Sequence, residues 1–547
     1  MPILLLGLLL GVGLASAAAQ PTRYRPDLRV LSRYQQTITP QELRAHLEFL
    51  ASDELEGRET ATRGQYVAAR YLASWFRRLG LEPIGDGGTY YQHFDLVEQR
   101  LAEVRLRLEG PAGAQEVRSL PTDPDRLIPR AAGPDSIGGL VLAGYGIVDV
   151  QGGRDDYQGL DPRGKWVMVL DGEPHINGRS ALTPNGEPSV WARQWWQKAV
   201  AARQKGAIGV IVVPEADRFE ALKAEFREQA QRIGALSLAY QNRQPRASRF
   251  PPLLYLHPEA AAELLRAVGG PDWQAYRRDP RPLGLPESVR LTVRFRVEPR
   301  RHTSQNVVGL LEGVDPVLKH EYVVITAHYD HVGIGAPDST GDRIYNGADD
   351  DGSGTVAVLE LAEAFARAKA EGHGPKRSIL FMAVSAEERG LLGSRYYVDH
   401  PLVPLEKTVA NLNIDMIGRV DPKYERLGNP YYVYIIGSNI LSSDLHAINE
   451  QMNALTTKLT LDYTYNRQDD PNRFWARSDH ANFGEKGIPF IFYFTGTHAD
   501  YHRPGDEPHK IHYEKMARIV QLILATTWNL ANRPDRPRVD GKWFTQQ

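Results

Sequence analysis

From about residue 289 to residue 533 of this 547-residue chain, apolar runs alternate with segments of helical periodicity, and four of the runs stop at metal-ligating residue types. Val323-Val324-Ile325-Thr326-Ala327 ends in His328-Tyr329-Asp330, and Ile379 to Val384 leads to Glu387-Glu388. Asn413-Ile414 leads into Asp415, and Phe490 to Phe494 is followed by Tyr501-His502. This alternation predicts a three-layer α/β domain with a mostly parallel central sheet, because parallel neighbours need crossover helices that cover both faces. Ligands of such sheets bind outside the carboxyl ends of the strands. The four runs therefore deliver imidazoles and carboxylates to one edge. Between the first two runs lies Asn346-Gly347-Ala348-Asp349-Asp350-Asp351-Gly352-Ser353-Gly354, just before a helix periodic at Val358, Leu361, Ala362 and Phe365. Three successive carboxylates repel one another unless a cation neutralises them.

Each piece alone has an ordinary explanation: paired Glu residues are usually solvated, a lone His near a strand is usually a hydrogen-bonded loop residue, and Asp before a helix often caps it. Their joint placement at strand ends favours a metal site. The chain has no cysteine, which removes disulfides, thiolate zinc sites, iron–sulfur clusters, thiol nucleophiles and the acceptor of a bacterial lipoprotein anchor. Two imidazoles and several carboxylates suit Zn²⁺, Mn²⁺ or Co²⁺. One shared carboxylate would give each of two metals three protein donors with room for a bridging water, so the leading chemical class is a dinuclear hydrolase. With 65 Lys+Arg against 67 Asp+Glu, the formal charge of -2 creates no field for nucleic acid or anionic membranes, and neither is expected as a partner.

Residues 3–14 form an apolar run that stops at Ala15-Ser16-Ala17-Ala18-Ala19 and polar Gln20, which reads as a secretory signal cleaved after Ala17 or Ala19. No basic residue precedes the run; an uncleaved anchor is the alternative, though the run is shorter than the ~20 residues that span a bilayer. Export without cysteines or an Asn-x-Ser/Thr sequon fits a bacterial periplasm or medium. Residues 41–80 carry the periodicity of two amphipathic helices with a stop at Gly80. Breaker-rich stretches at 109–137 and 268–286 bracket a module of domain size, in which strand-like runs at 140–142, 166–170 and 208–213 surround a helical segment near 190–205.

Several features invite readings that fail on chemistry. Gly159 to Trp166 approximates a phosphate-binding loop, but Trp166 has no hydroxyl for Mg²⁺ and a strand follows instead of a helix. Gly352-Ser353-Gly354 lacks the glycine spacing of a nucleophile elbow. Ser478-Asp479-His480 is assigned to pocket architecture, since sequence neighbours seldom form a triad in space. Trp191, Trp195 and Trp196 are read as core aromatics.

The ordered set His328-x-Asp330, Gly347-Ala348-Asp349-Asp350-Asp351-Gly352-Ser353-Gly354, Glu387-Glu388, Asn413-Ile414-Asp415-Met416 and Asp500-Tyr501-His502-x-Pro504-x-Asp506 resembles the M28 family of co-catalytic zinc aminopeptidases. Ser52-Asp53-Glu54-Leu55-Glu56-Gly57-Arg58 resembles that family's N-terminal segment. Gly144-Tyr145-Gly146 through Gly206-Ala207-Ile208-Gly209-Val210 resembles an inserted protease-associated (PA) domain. The resemblance implies a signal peptide over 1–19, an N-terminal part of the catalytic domain over 20–131, a small β-rich α/β PA-like insert over 132–275, the main peptidase domain over 276–535 and a polar tail over 536–547.

It further implies two Zn²⁺ per chain, with Asp350 bridging, His328 and Asp415 completing one site, and Glu388 and His502 the other. By the same resemblance Asp330 orients His328, Glu387 is the general base, Tyr501 donates to the developing oxyanion, and the Asp350–Asp351 peptide is cis. The function implied is an exported aminopeptidase acting on peptides. The alternatives are a glutamate-carboxypeptidase-like enzyme gripping a carboxylate with Arg419, Arg467, Arg473 or Arg477, a glutaminyl-cyclase relative with one zinc, and a non-catalytic PA-domain binding protein.

Overall fold

The structure, a computed structural model, describes residues 24–120, 124–149, 153–183, 185–194, 196–231, 234–241 and 251–544. The signal-like segment, Trp195 and the last three residues of the tail lie outside the described residues. The chain divides into two compact units, Met1–Phe94 with Thr303–Gln547, and Asp95–His302.

In the discontinuous unit the strands lie in the order Thr460–Asp462, Tyr432–Ile436, Phe490–Phe494, Thr408–Ile414, Tyr322–His328, Ser378–Val384, and then the end of Arg290–Leu311. Tyr322–His328 pairs in parallel with both neighbours, and Thr408–Ile414 pairs in parallel with Phe490–Phe494. Antiparallel pairs occur beside this parallel centre, between Tyr432–Ile436 and Phe490–Phe494 and along 307–311. Side chains alternate across the pleat. Val323, Ile325, Ala327, Ile379, Phe381 and Ala383 pack under helices Leu28–Gln35, Pro40–Leu50, Arg63–Arg78, Gly354–Ala370 and Tyr513–Asn532. Val324, Leu380, Met382 and Val384 pack with Tyr397, Val398 and Phe483 of the helices Leu392–Asp399 and His480–Glu485. The three-layer α/β expectation is met.

Gly354–Ala370 is buried along most of its length, which suits a helix caught between the sheet and the N-terminal helices. Pro40–Leu50 begins as its sequence dictates: Thr39 Oγ accepts from Glu42 N at 3.2 Å and donates to Glu42 Oε2 at 2.9 Å, with Pro40 at the first turn. The second expected helix, Arg63–Arg78, ends before Gly80, whose φ of 72° only glycine adopts without cost.

The continuous unit has Ser136–Ala143, Lys165–Leu170, Gly209–Val213 and Leu253–Leu256 paired in parallel in that order, with Leu127–Ala131 antiparallel at the end. The unit spans Asp95–His302, wider than the 132–275 expected for the insert. Val104, Leu106, Leu108 and Val117 on one side, and Leu291 and Val293 on the other, share a core with Leu140, Trp166 and Ile211. Leu291 and Val293 also pair with Gly138 and Ser136. The breaker-rich stretch at 109–137 thus holds two strands, Gly113–Ser119 and Leu127–Ala131, rather than a boundary. Trp191 packs partly buried against this unit's second core, whereas Trp196 is 36% exposed. Inside the unit the buried Lys198 ammonium donates to the carbonyls of Tyr145, Leu170 and Gly172 at 2.5, 3.1 and 2.8 Å. Among the described residues no helix is long and apolar enough to cross a membrane.

Candidate metal centre

All the strand-end residues singled out above converge. His328 ends its strand, and its Nε2 lies 3.2 Å from Asp350 Oδ1 and 3.7 Å from Asp415 Oδ1. His502 Nε2 lies 2.9 Å from Asp350 Oδ2 and 3.3 Å from Glu388 Oε2. Asp350 therefore presents one oxygen to each imidazole. Its Oδ2 is buried and has no aligned hydrogen bond despite the proximity of His502, an arrangement in which both atoms address a common point instead of each other. The potential donors fall into two groups, His328 with Glu387 and Asp415, and His331 with Asp350 and Glu388. Nitrogen and carboxylate oxygen without thiolate is a donor set that fits zinc.

The backbone around the donors is held in costly conformations. Ala386, Met416 and His502 have φ of 59°, 56° and 53°, left-handed values that cost a non-glycine residue of order 1 kcal/mol and persist where surroundings fix them. The Met416 carbonyl accepts from Thr495 N and Oγ at 2.9 and 3.0 Å, and its N–H donates to Asp351 Oδ1 at 3.2 Å. Asp351 also accepts from His328 N at 3.1 Å and from Gly354 N at 2.9 Å, so one carboxylate caps a helix and ties two donor segments together. Asp349 binds Gly418 N at 2.6 Å and lies 3.3 Å from His498 Nε2. Asp506 accepts the N–H groups of Asp349 and Asp350 at 3.0 and 3.1 Å. The Asp350–Asp351 peptide is cis, as the family resemblance implies.

The expected contact between Asp330 and His328 takes a different form. His328 Nδ1 lies 3.0 Å from the Asp330 main-chain carbonyl and 3.9 Å from its carboxylate, so the carbonyl fixes the ring. The Asp330 carboxylate instead accepts from Thr60 Oγ at 2.7 Å and Glu387 N at 3.2 Å. Ser478-Asp479-His480 forms no triad: Ser478 Oγ accepts from Asn413 at 2.9 Å, Asp479 accepts from Ser394, and His480 Nε2 sits 3.0 Å from the Trp475 carbonyl.

A cleft opens over the centre, lined by His328, Asp350, Glu387, Asp415, Tyr501 and His502. Met416, Phe474, Phe492 and Phe494 form its apolar wall, and Arg477 also reaches it. Burial, reinforced by Glu388, Asp479 and Asp415, pushes the Glu387 carboxyl well above its usual range. For Glu388, burial and Asp350 push upward, but hydrogen bonds from His331 and His502 prevail and hold it at about 2. Burial, with Asp350 and Glu388, keeps Tyr501 protonated far into alkali. Of the four arginines considered for a carboxylate grip, Arg419 pairs with Asp500 at 2.9 Å, Arg467 pairs with Asp469 at 2.6 Å, and Arg473 stacks on Trp475. Only Arg477 lines the cavity, with Nη2 3.3 Å from Tyr501 Oη.

Sequence reasoning gave no role to His331, Arg58 or Thr60. His331 had a signal, being the second imidazole of His328-Tyr329-Asp330-His331. Arg58 was singled out only as the end of the Ser52–Arg58 segment, without a role: it is buried and donates to the carbonyls of Tyr329 at 2.9 Å, Asn346 at 2.7 Å and Gly347 at 2.9 Å, bracing both donor loops.

Fold and site together place a metal-ligating donor set at the carboxyl edge of a parallel sheet. Residues 306–527 match the model of peptidase family M28. An aminopeptidase of Bacillus subtilis, YwaD, is 30% identical over 244 residues, covering 43% of this chain and 47% of that protein. A probable leucine aminopeptidase 2 of Aspergillus oryzae is 31% identical over 280 residues, 46% of this chain and 49% of that protein. The chain thus spans about half the length of these curated relatives. The solved structure of a zinc aminopeptidase from Bacillus subtilis aligns over 92% of this chain and 98% of its own at a TM-score of 0.49 and 20% identity.

Proposed function

We propose that this protein is an exported aminopeptidase that holds two zinc ions and removes N-terminal residues from peptides. The observation that carries the reading is the Asp350 carboxylate set between His328 and His502, with Asp415 beside one imidazole and Glu388 beside the other. His328, Asp350 and Asp415 would hold one ion, and Asp350, Glu388 and His502 the other. Zinc supplies Lewis acidity there, polarising a carbonyl and acidifying water. Glu387, whose carboxyl lines the cavity and is held above its usual range, takes a proton from the attacking water and returns it to the leaving amine. Tyr501 keeps its phenolic proton and donates it as a hydrogen bond to the developing oxyanion. The apolar wall of Met416, Phe474, Phe492 and Phe494 receives the terminal side chain and excludes water around it. The names of the curated relatives support the choice of aminopeptidase. The unit 95–302 is the proposed PA-like insert, and the apolar run before Gln20 supports export.

Hydrolysis of paired peptides, one N-acetylated and one C-amidated, with zinc content measured on the same protein, tests the reading. The expected result is two zinc ions per chain and turnover abolished by the blocked amine alone. Loss of turnover with the blocked carboxyl would make the enzyme a carboxypeptidase. One zinc per chain would favour the glutaminyl-cyclase-like alternative.

A further inference from the structure

His331 is fully buried and stands among the potential donors beside Asp350 and Glu388, yet the proposed function gives it no role. Its main-chain N–H donates to the Arg58 carbonyl at 3.1 Å, and its ring lies against Gly347, where an added Cβ would come within 2.5 Å of Cδ2. Chain and ring are therefore fixed by backbone on two sides. Nδ1 sits 2.9 Å from Glu388 Oε1, while Nε2 is buried and has no hydrogen-bond partner. An imidazole kept only for packing would be replaced at no loss by an apolar ring, because a buried polar atom without a partner costs about 1–3 kcal/mol. Among the described residues the ring's hydrogen-bond partner is Glu388; the Asp350 carboxylate lies farther off, at 3.9 Å from Nδ1.

Glu388 divides its oxygens, Oε1 toward His331 and Oε2 toward His502 Nε2 at 3.3 Å. Against an ionised carboxylate, Nδ1 must carry the proton, so this nitrogen is a donor and not a lone pair offered to a cation. The geometry points to His331 as a positioning residue: its Nδ1–H fixes the outer oxygen of Glu388 and so aims the inner oxygen at the second zinc. This rests on the dinuclear reading above. Hydrogen bonds to a ligating carboxylate set its orientation, and their loss costs about 10–100-fold in metal affinity.

The test compares wild type with His331→Ala, His331→Phe and His331→Asn. Zinc affinities of the two sites are read by chelator competition, and the cobalt(II)-substituted proteins by visible absorption. His331→Ala and His331→Phe should weaken the second-bound ion by about 10–100-fold and leave the first within twofold. His331→Asn, whose amide can donate, should recover most of that loss. Cobalt band positions should match wild type, since no ligand atom has been removed. His331→Phe fills the same space without a donor and keeps the test decisive should His331→Ala fold poorly. Equal affinity for both ions in wild type and His331→Phe would overturn the inference. So would a cobalt spectrum that loses a nitrogen donor, which would make His331 a ligand. If wild type takes up only one zinc, the dinuclear reading falls and the inference with it; if wild type takes up two and His331→Phe matches it, the inference alone falls.

Discussion

Thr60 Oγ donates to Asp330 Oδ2 at 2.7 Å, joining residues 270 positions apart in the chain. The bond ties the segment between helices Pro40–Leu50 and Arg63–Arg78 to the loop that follows His328. Together with Arg58 it explains why residues before 95 belong to the metal-binding unit.

Thr60→Val keeps the shape of the side chain and removes this donor. The buried Asp330 carboxylate then retains only Glu387 N among these two contacts, and folding stability should fall by about 1–3 kcal/mol. Thr60→Ser should fall by less. Urea unfolding of the two variants checks this, and equal midpoints for wild type and Thr60→Val would show that the bond contributes nothing.

Glu360, in the helix that follows the acidic loop, is buried 3.5 Å from His46, and burial, then Glu42 and Glu363, raises its pKa to about 9. In the unfolded chain the same group titrates near 4.5. Between these values the unfolded state ionises it while the folded state keeps the proton. The stability it contributes is complete below pH 4.5 and is lost as pH rises toward 9, at up to about 1.4 kcal/mol per pH unit. Glu360→Gln should flatten that decline. Denaturation midpoints at pH 5 and pH 8.5 that shift equally in both proteins would contradict it.

In the other unit, Lys198→Met should destabilise by more than about 2 kcal/mol, since three carbonyls lose one shared donor and regain none. Methionine matches the length of the lysine stem, so packing loss is small. The unfolding transition of residues 95–302, followed by hydrogen exchange, should move to lower denaturant. The protection of 303–532 should stay unchanged.

How much the sequence disclosed depended on locality. The strands ending at His328, Val384 and Ile414 were legible because a buried parallel strand is a continuous apolar run bounded by polar chemistry, and the donors lay at those ends. The insert limits were not legible. Leu106 and Leu291 lie 185 positions apart in sequence, and only tertiary packing places both in one core. The bracing role of Arg58 was illegible for a related reason: it donates to main-chain carbonyls, which carry no side-chain identity to read. The carboxylate of Asp330 was misassigned because the spacing of His328 and Asp330 cannot say which of two oxygen types the imidazole meets.

The central claim separates two adjacent glutamates, and Glu387 is the sharper test because it lies 3.8 Å from His328 Nε2, close enough to compete for a metal role. The decisive measurement is zinc content together with turnover on purified Glu387→Gln. In the proposed role of general base Glu387 would touch water and not zinc, so the variant should keep both proposed ions while turnover falls by about 10²–10⁴ with peptide affinity nearly unchanged. A variant that loses one zinc, or keeps two and turns over like wild type, would contradict the assignment.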